Sequence, residues 1–166
     1  MSDLTIIRGV PGSGKSTLAR TLKENMEDRM GLTVFHFEAD RFFTNLAGDY
    51  KFDASRLKEA HELCRLQALK AMCNEPDATI IVSNTFIRMW EMQPYLQLAK
   101  DFKRDIKIIE LKTRYNSIHG VPQAKVDQMA ESFYRLRPEI SPEYFGGMTA
   151  HEAETAESRI LTFTNT

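Results

Sequence analysis

Three glycines, a lysine and three hydroxyl residues follow a short apolar run near the start of the chain, in the segment RGVPGSGKSTLAR (8–20). Its spacing Gly9-x-x-x-x-Gly14-Lys15-Ser16 matches the phosphate-binding P-loop pattern. Glycines let consecutive backbone N–H groups point at a phosphate, because they carry no side chain and tolerate positive φ angles. The segment therefore predicts a site for the phosphate chain of a nucleotide, the alternative being a glycine-rich turn between a strand and a helix.

The residues after the glycines suggest separate roles within such a site. Lys15 is placed to reach β- and γ-phosphate oxygens, and the Ser16 hydroxyl is placed to ligate Mg²⁺. Ser16 and Thr17 open a predicted helix, whose N-terminal dipole and unpaired N–H groups favour an anion. We therefore expect ATP and Mg²⁺ as the bound groups.

Short apolar runs and longer helical patterns alternate along the chain. The runs are rich in Ile, Val, Phe and Thr and predict strands at Leu4–Ile7, Leu32–Phe37, Thr79–Val82, Ile106–Leu111 and Ile160–Phe163. Apolar residues spaced by three and four predict helices at 56–72 and 90–102. This alternation predicts an α/β fold with a parallel sheet of about five strands flanked by helices, in one domain over 1–166.

Ligands of such sheets collect beyond the carboxyl ends of the strands, so the residues that follow each run are candidates for chemistry. Asp40 follows the second run, where it can accept the proton of an attacking hydroxyl. The alternative for Asp40 is a helix cap or a solvated carboxylate. Glu38 is expected on the opposite face of the strand, and Arg41 either steadies an acceptor or pairs with Asp40.

Two further strand ends carry polar residues. Asn84 closes the third run, where P-loop enzymes often have an acidic residue. Its amide either orients a water or substrate hydroxyl, or caps the next helix.

The segment after the fourth run, about 112–137, is a candidate lid. Arg114 is the first candidate there for a cation that stabilises the transferred phosphoryl group, followed by His119 and Arg135, with solvated or salt-bridged roles as the alternative.

Composition limits the classes of partner. The chain has 166 residues, 22 Lys and Arg against 23 Asp and Glu, and a net charge of −1, so no global basic field recruits nucleic acid. Cys64 and Cys73 lie nine residues apart on one predicted helix, about 13 Å along its axis, which predicts free thiols. Free thiols and the absence of a long apolar stretch or a leader at 1–3 predict a soluble cytoplasmic protein without membrane contact. Three histidines lack metal-ligand spacing and are interpreted as structural: His36, His61 and His151.

The motifs GVPGSGKST, FEADRFF, IIVSNT and RYNSIHGVPQAKVDQM, in that order, resemble the small P-loop kinases that include the kinase domain of bacteriophage polynucleotide kinase and the NEDD4-binding-protein-2-like ATPases. The resemblance covers about Leu4 to Arg135 and implies a three-layer P-loop NTPase fold. It assigns Asp40 as general base and puts Arg114 in the lid. The implied ATP-phosphate and Mg²⁺ site comprises Gly12, Ser13, Gly14, Lys15, Ser16 and Thr17.

Three positions depart from the polynucleotide kinases. Phe43 stands where they have an acceptor-phosphate arginine, Asn84 where they have an aspartate, and His119 where they have a lid arginine. Phe43, with Phe42, either stacks on a base or packs in the core. The resemblance implies a kinase, with the 5′-hydroxyl of a polynucleotide or nucleotide as the first acceptor. The alternatives are an ATP-dependent switch with a protein partner and a small-molecule kinase.

Overall fold

The computed structural model describes residues 3–111 and the isolated helical positions 124 and 128. Its strands are β1 (Asp3–Gly9), β2 (Val34–Phe37), β3 (Thr79–Asn84) and β4 (Asp105–Leu111). Its helices are α1 (Lys15–Met30), α2 (Leu57–Asn74) and α3 (Met89–Asp101), and a 3₁₀ turn at Ala39–Phe43 follows β2. The predicted α/β alternation is confirmed, with helix and strand limits within a few residues of those expected.

The four strands form one parallel sheet in the order β2-β3-β1-β4. β1 and β3 are central, and their middle residues are buried on both faces, which explains why their sequences are continuous apolar runs. Since all four strands are parallel, the carboxyl ends of β1, β2 and β3 lie at the same edge of the sheet. The register pairs Arg8 of β1 with Asn84 of β3 at this edge.

Helices cover both faces of the sheet. On one face α2 and α3 pack over Leu4, Ile6, Ile80 and Val82. On the other face Ala19 and Leu18 of α1 pack over residues such as Ile7 and Ile81, which alternate with the first set along the strands. The result is a three-layer arrangement with its core on both sides of the sheet.

A buried arginine joins the ends of three segments behind the phosphate-binding loop. Arg8 is fully buried; its Nη1 contacts Glu110 Oε1 at 2.5 Å, and its Nε and Nη2 donate to the Phe86 carbonyl. These bonds join three segments: β1, β4 and the loop that follows β3. Both cysteines are free, Cys64 buried and Cys73 exposed, as their spacing predicts.

Several expectations fall on residues that the structure does not describe. The fifth predicted strand, Ile160–Phe163, lies outside the described residues, as does the lid segment 112–137 apart from its two isolated positions. Four of the five predicted strands are therefore observed. Within the described part of the chain, no helix combines the length and apolar character needed to cross a bilayer.

Candidate active site

The loop between β1 and α1 has the conformation that its glycines predict. Gly12 and Gly14 adopt φ angles of 78° and 89°, in the left-handed region that other residues rarely occupy. Gly9 lies so close to the Ser13 side chain that a Cβ at position 9 would collide with it. The loop leads directly into α1 at Lys15, so the unpaired N–H groups of the first turn of α1 point toward the loop.

Lys15 is the first residue of α1, and its side chain reaches back across the loop, where its ammonium group is poorly solvated. Its Nζ donates to the Val10 carbonyl at 3.0 Å. Burial lowers the pKa of Lys15 to about 8, although the nearby carboxylates of Asp40 and Glu38 partly oppose that shift. An anion with several charges would relieve this desolvation, because it supplies the ionic partner that the buried ammonium lacks.

Glu38 belongs to the site, and the expectation that it lies on the opposite face of the strand is wrong. Glu38 is the residue before the 3₁₀ turn, with extended backbone, and its side chain reaches back to the end of β3. The Ser83 hydroxyl donates to Glu38 Oε1 at 2.8 Å, and the Ser16 hydroxyl also hydrogen-bonds the carboxylate. Glu38 therefore connects the second strand to the first turn of α1.

The hydrogen bonds of Glu38 outweigh the effect of its burial. Burial alone would raise the pKa of the Glu38 carboxyl, but hydrogen bonds from His36, Ser16 and Ser83 lower that pKa to about 2. The carboxylate is thus negative at any physiological pH. The expectation fails because Glu38 continues the extended backbone of β2, so it lies on the same face as His36, two residues earlier, and both side chains contact Ser83.

A chain of polar side chains behind Glu38 orients His36. Arg41 donates to the carbonyl and to Nδ1 of His36, at 2.9 and 3.0 Å. Nδ1 is then an acceptor, which assigns the proton to Nε2, and Nε2 lies 2.6 Å from the Ser83 hydroxyl and 3.3 Å from Glu38. Arg41 accordingly contacts His36 and Glu38 rather than Asp40, its expected partner.

Asp40 lies on the exposed side of the 3₁₀ turn, at the same sheet edge as the loop. The Tyr50 hydroxyl lies close to the Asp40 carboxylate, and burial together with that negative charge raises the pKa of Tyr50 to about 12. Tyr50 is brought there by a bridge between its backbone and Thr44. The structure thus places Asp40 within electrostatic range of Lys15, with a neutral tyrosine close by that the sequence did not reveal.

Asn84 positions the Asp40 segment. Its Oδ1 accepts a hydrogen bond from the Ala39 backbone N–H at 2.7 Å, and its Nδ2 lies 3.8 Å from Cys64 Sγ. With only 6% of its surface exposed, Asn84 has its amide engaged on both sides. It does not cap the next helix, α3, whose N-cap is Arg88; instead it fixes the start of the turn that carries Asp40.

Of the two alternatives for Phe43, base stacking and core packing, the structure supports core packing. Phe43 is 7% exposed and contacts three aromatic rings edge-on, those of Phe42, Tyr50 and Phe52. Its ring is therefore buried among other aromatic rings, which argues against base stacking at this position. The half-buried Phe42 ring lies 4.6 Å from the Arg56 guanidinium, in a cation–π contact.

Other predicted site residues lie outside the described part of the chain. These are Arg114, His119 and Arg135 of the candidate lid. Within the described part, no three His, Cys, Asp or Glu side chains cluster as a metal site. The donors beside the loop are the Ser16 hydroxyl and the Glu38 carboxylate, oxygen groups of the kind that suit Mg²⁺, which usually keeps several waters and binds phosphates.

Comparison with known proteins assigns the family. Residues 4–136 match the protein family described as an AAA domain. The chain belongs to this family. Human NEDD4-binding protein 2 is 36% identical to it over 142 residues, which cover 80% of this chain and 8% of that protein. The resemblance to the NEDD4-binding-protein-2-like ATPases is therefore confirmed, for a chain that spans a small part of that relative's length.

Solved structures support the same fold for this AAA-domain chain. APS kinase CysC of Mycobacterium tuberculosis, in complex with AMPPNP and APS, aligns with a TM-score of 0.54 at 16% identity, covering 90% of this chain and 80% of that one. A chain of the Pnkp1/Rnl/Hen1 complex aligns with a TM-score of 0.53 at 20% identity, covering 76% and 38%. The fold is that of the P-loop kinases.

Proposed function

We propose that this domain is an ATP-dependent phosphotransferase that moves the γ-phosphoryl group of ATP to a hydroxyl acceptor. The observation that carries the proposal is the meeting of Lys15, Asp40 and Glu38 at one sheet edge. A phosphate-binding cation, a solvent-facing carboxylate and a second, permanently ionised carboxylate are the parts that such a transfer requires. The P-loop kinase fold agrees with this assignment.

Different residues of the site bind the phosphates of ATP and the Mg²⁺ ion. The N–H groups of Gly12 and of residues 14–17 bind the β- and γ-phosphates together with the Lys15 ammonium, which offsets the desolvation of Lys15. The Ser13 N–H instead donates to the Val10 carbonyl. Ser16 and Glu38 would hold Mg²⁺, directly or through its waters. When bound, Mg²⁺ neutralises negative charge on the phosphates.

Asp40 acts on the acceptor. The acceptor oxygen attacks the γ-phosphorus, the bond between that phosphorus and the β–γ bridging oxygen breaks, and ADP leaves with the electron pair. The proton of the acceptor hydroxyl passes to Asp40, whose carboxylate Tyr50 orients. Arg114, on the candidate lid, supplies positive charge to the transferred group.

The acceptor of first choice is the 5′-hydroxyl of a nucleotide or polynucleotide. The similarity to a chain of the Pnkp1/Rnl/Hen1 complex and the motif resemblance to polynucleotide kinases support this choice. A small-molecule acceptor is the second candidate, supported by the fold similarity to APS kinase. The neutral Asn84 is not an argument for an ATP-dependent switch, because its amide has a structural task.

Transfer from labelled ATP tests the proposal. Wild-type protein and Lys15→Ala are assayed with 5′-hydroxyl RNA, 5′-hydroxyl DNA, nucleosides and small metabolites. We expect label in one hydroxyl class, ADP release that the same acceptor accelerates, and neither in the variant. ADP release that no acceptor changes but a protein partner stimulates would instead support a switch and refute the phosphotransferase.

A further inference from the structure

A pocket of about 490 Å³ lies where α2 meets the start of α3, and none of the roles above uses it. Its volume is within the range of about 300–1,000 Å³ that small-molecule sites occupy. The lining combines two aromatic side chains with charged groups of both signs. It consists of Lys58, His61, Glu62, Arg65, Trp90, Glu91, Pro94 and Tyr95.

Trp90 offers the pocket an open aromatic surface. Trp90 is the chain's one tryptophan, and 46% of its surface is exposed although its side chain is large and apolar. The His61 ring contacts it edge-on, with ring centroids 5.7 Å apart and an interplanar angle of 73°. This contact orients the indole while nearly half of it stays accessible, as a stacking surface requires.

Buried polar groups lie beside that surface. Glu91 is 7% exposed; its Oε2 accepts the Arg88 backbone N–H at 2.8 Å, and its Oε1 lies 3.4 Å from His61 Nε2. His61 is 9% exposed, and its Nδ1 has no hydrogen-bond partner among the described residues. Buried polar atoms are normally paired, so Nδ1 leaves the His61 ring with an unsatisfied hydrogen-bonding atom beside the pocket, as judged from the described residues.

The pocket is on the Asp40 side of the site. α2, which carries His61, packs against the 3₁₀ turn Ala39–Phe43 that carries Asp40. Burial lowers the pKa of His61, and the negative charges of Glu91 and Asp40 partly oppose that shift, so His61 lies within electrostatic reach of Asp40. A molecule bound on Trp90 and His61 therefore lies against the helix that packs on the turn carrying Asp40, the carboxylate proposed to accept the hydroxyl proton.

One of the two cations of the pocket is available to a ligand. Arg65 is held by Glu62 through two hydrogen bonds, at 2.6 and 3.1 Å. Lys58 is exposed and forms no salt bridge with any residue between 3 and 111. A single free ammonium beside an aromatic surface suits a ligand that has a flat ring and one phosphate.

We propose that this pocket binds the phosphoryl acceptor as one nucleotide unit with a free 5′-hydroxyl, its base stacked on Trp90 and its 3′-phosphate at Lys58. The inference rests on the proposed function, since it supplies the acceptor side of the same reaction. It replaces Phe43 with Trp90 as the stacking residue. With one phosphate neutralised, acceptor binding depends only weakly on salt.

Intrinsic fluorescence tests binding directly, because Trp90 is the chain's one tryptophan. The wild-type protein is first saturated with MgAMPPNP, which occupies the donor site, and is then titrated with nucleoside 3′-monophosphates and with nucleosides. We expect saturable quenching by both, with a lower half-saturation for the 3′-monophosphates. No quenching by either would overturn the proposal, as would quenching by MgAMPPNP alone that the second ligand does not increase, since the donor base would then occupy the pocket.

Transfer kinetics test the role in catalysis. Trp90→Leu should raise the acceptor KM about 5- to 150-fold, as expected for the loss of one stacking contact, without changing the KM of ATP. Lys58→Ala should raise KM for 3′-phosphorylated acceptors only. Leu66→Ala is the matched control, since Leu66 is an exposed α2 side chain (44%) that does not line the pocket.

The two proposals fail in distinguishable ways. An unchanged acceptor KM in Trp90→Leu, in a protein whose turnover still requires Lys15, refutes the pocket and leaves the kinase intact. Absence of transfer to every acceptor refutes the kinase and, with it, the role of the pocket as an acceptor site. Saturable quenching would in that case identify a nucleotide-binding site without a transfer function.

Discussion

The Asn84 side-chain oxygen accepts a hydrogen bond from the Ala39 backbone N–H at 2.7 Å, and both residues are buried. This bond joins the end of β3 to the first residue of the turn that presents Asp40. An amide does this without adding a third negative charge beside Glu38 and Asp40. The neutral residue at this strand end therefore has a structural explanation.

Asn84→Ala should lower the free energy of unfolding by about 1–3 kcal/mol, because the Ala39 N–H is left buried and unpaired. It should also lower kcat, since the turn with Asp40 loses its anchor, while the Kd of MgATP stays close to the wild-type value. Asn84→Asp keeps the acceptor oxygen but buries a third negative charge beside Glu38 and Asp40, so it should not restore the wild-type stability. Urea unfolding and calorimetric titration measure both effects.

The control for that series is Asn74→Ala at the exposed end of α2, which should change stability by less than about 0.5 kcal/mol. An Asn84→Ala protein that is as stable as Asn74→Ala would show that the hydrogen bond to Ala39 does not hold the turn.

Lys15→Ala should abolish measurable MgATP binding while leaving the fold intact, because the proposed role of Lys15 is to supply the positive charge that contacts the phosphates. Its own burial disfavours the charged amine, so removing it should not lower the thermal midpoint. Lys23→Ala, farther along α1, is the matched control and should bind MgATP normally. Isothermal titration with unchanged affinity in Lys15→Ala would refute the phosphate site.

The pH dependence of MgATP binding should report Lys15. Because burial lowers the pKa of Lys15 to about 8 in the free protein, the amine loses its proton as pH rises through that value, and the affinity for MgATP should fall between pH about 7 and about 10. Lys15→Arg keeps its charge over this range and should show a flat profile, whatever its absolute affinity. Parallel profiles for the two proteins would contradict the low pKa.

Much of this arrangement can be predicted from the sequence, for reasons that are visible residue by residue. The apolar runs of β1 and β3 are buried on both faces, so their sequences alone identify them as central strands. The φ angles of Gly12 and Gly14 follow from a motif whose spacing has one known purpose.

Other features were predicted wrongly or not at all. The expected side of Glu38 was wrong, because its extended backbone continues β2 and puts it on the face of His36 and Ser83. The contacts of Asn84 with Ala39 and of His61 with Trp90 join residues far apart in sequence or on different helices. No local pattern encodes such pairs, since they are set by tertiary packing.

Glu38 should contribute to stability in a defined pH window. Its pKa is about 2 in the folded protein, against an ordinary value near 4.5, so its contribution is complete above about pH 4.5 and is lost as pH falls through about 2. The shift corresponds to a contribution on the order of 3 kcal/mol. Denaturant unfolding of wild type and Glu38→Gln between these pH values should show a slope that the variant lacks.

Glu27→Gln serves as the control for the pH series, because Glu27 is a half-exposed α1 residue in a surface ion pair with Lys23. It should retain the wild-type slope. Equal slopes in wild type and Glu38→Gln would show that the hydrogen bonds of Glu38 do not hold its pKa low.

Asp40→Asn tests the chemical step most directly. The amide retains the size of the side chain and can still contact Tyr50, but it cannot accept the acceptor proton, so single-turnover transfer should slow by about 10²- to 10⁴-fold. The Kd of MgATP should change little, because general-base assistance acts in the transition state. Asp28→Asn, an exposed residue of α1, controls for loss of one surface carboxylate and should transfer at the wild-type rate. Near-normal single-turnover rates in Asp40→Asn would remove Asp40 from the mechanism and leave Glu38 as the carboxylate to be tested next.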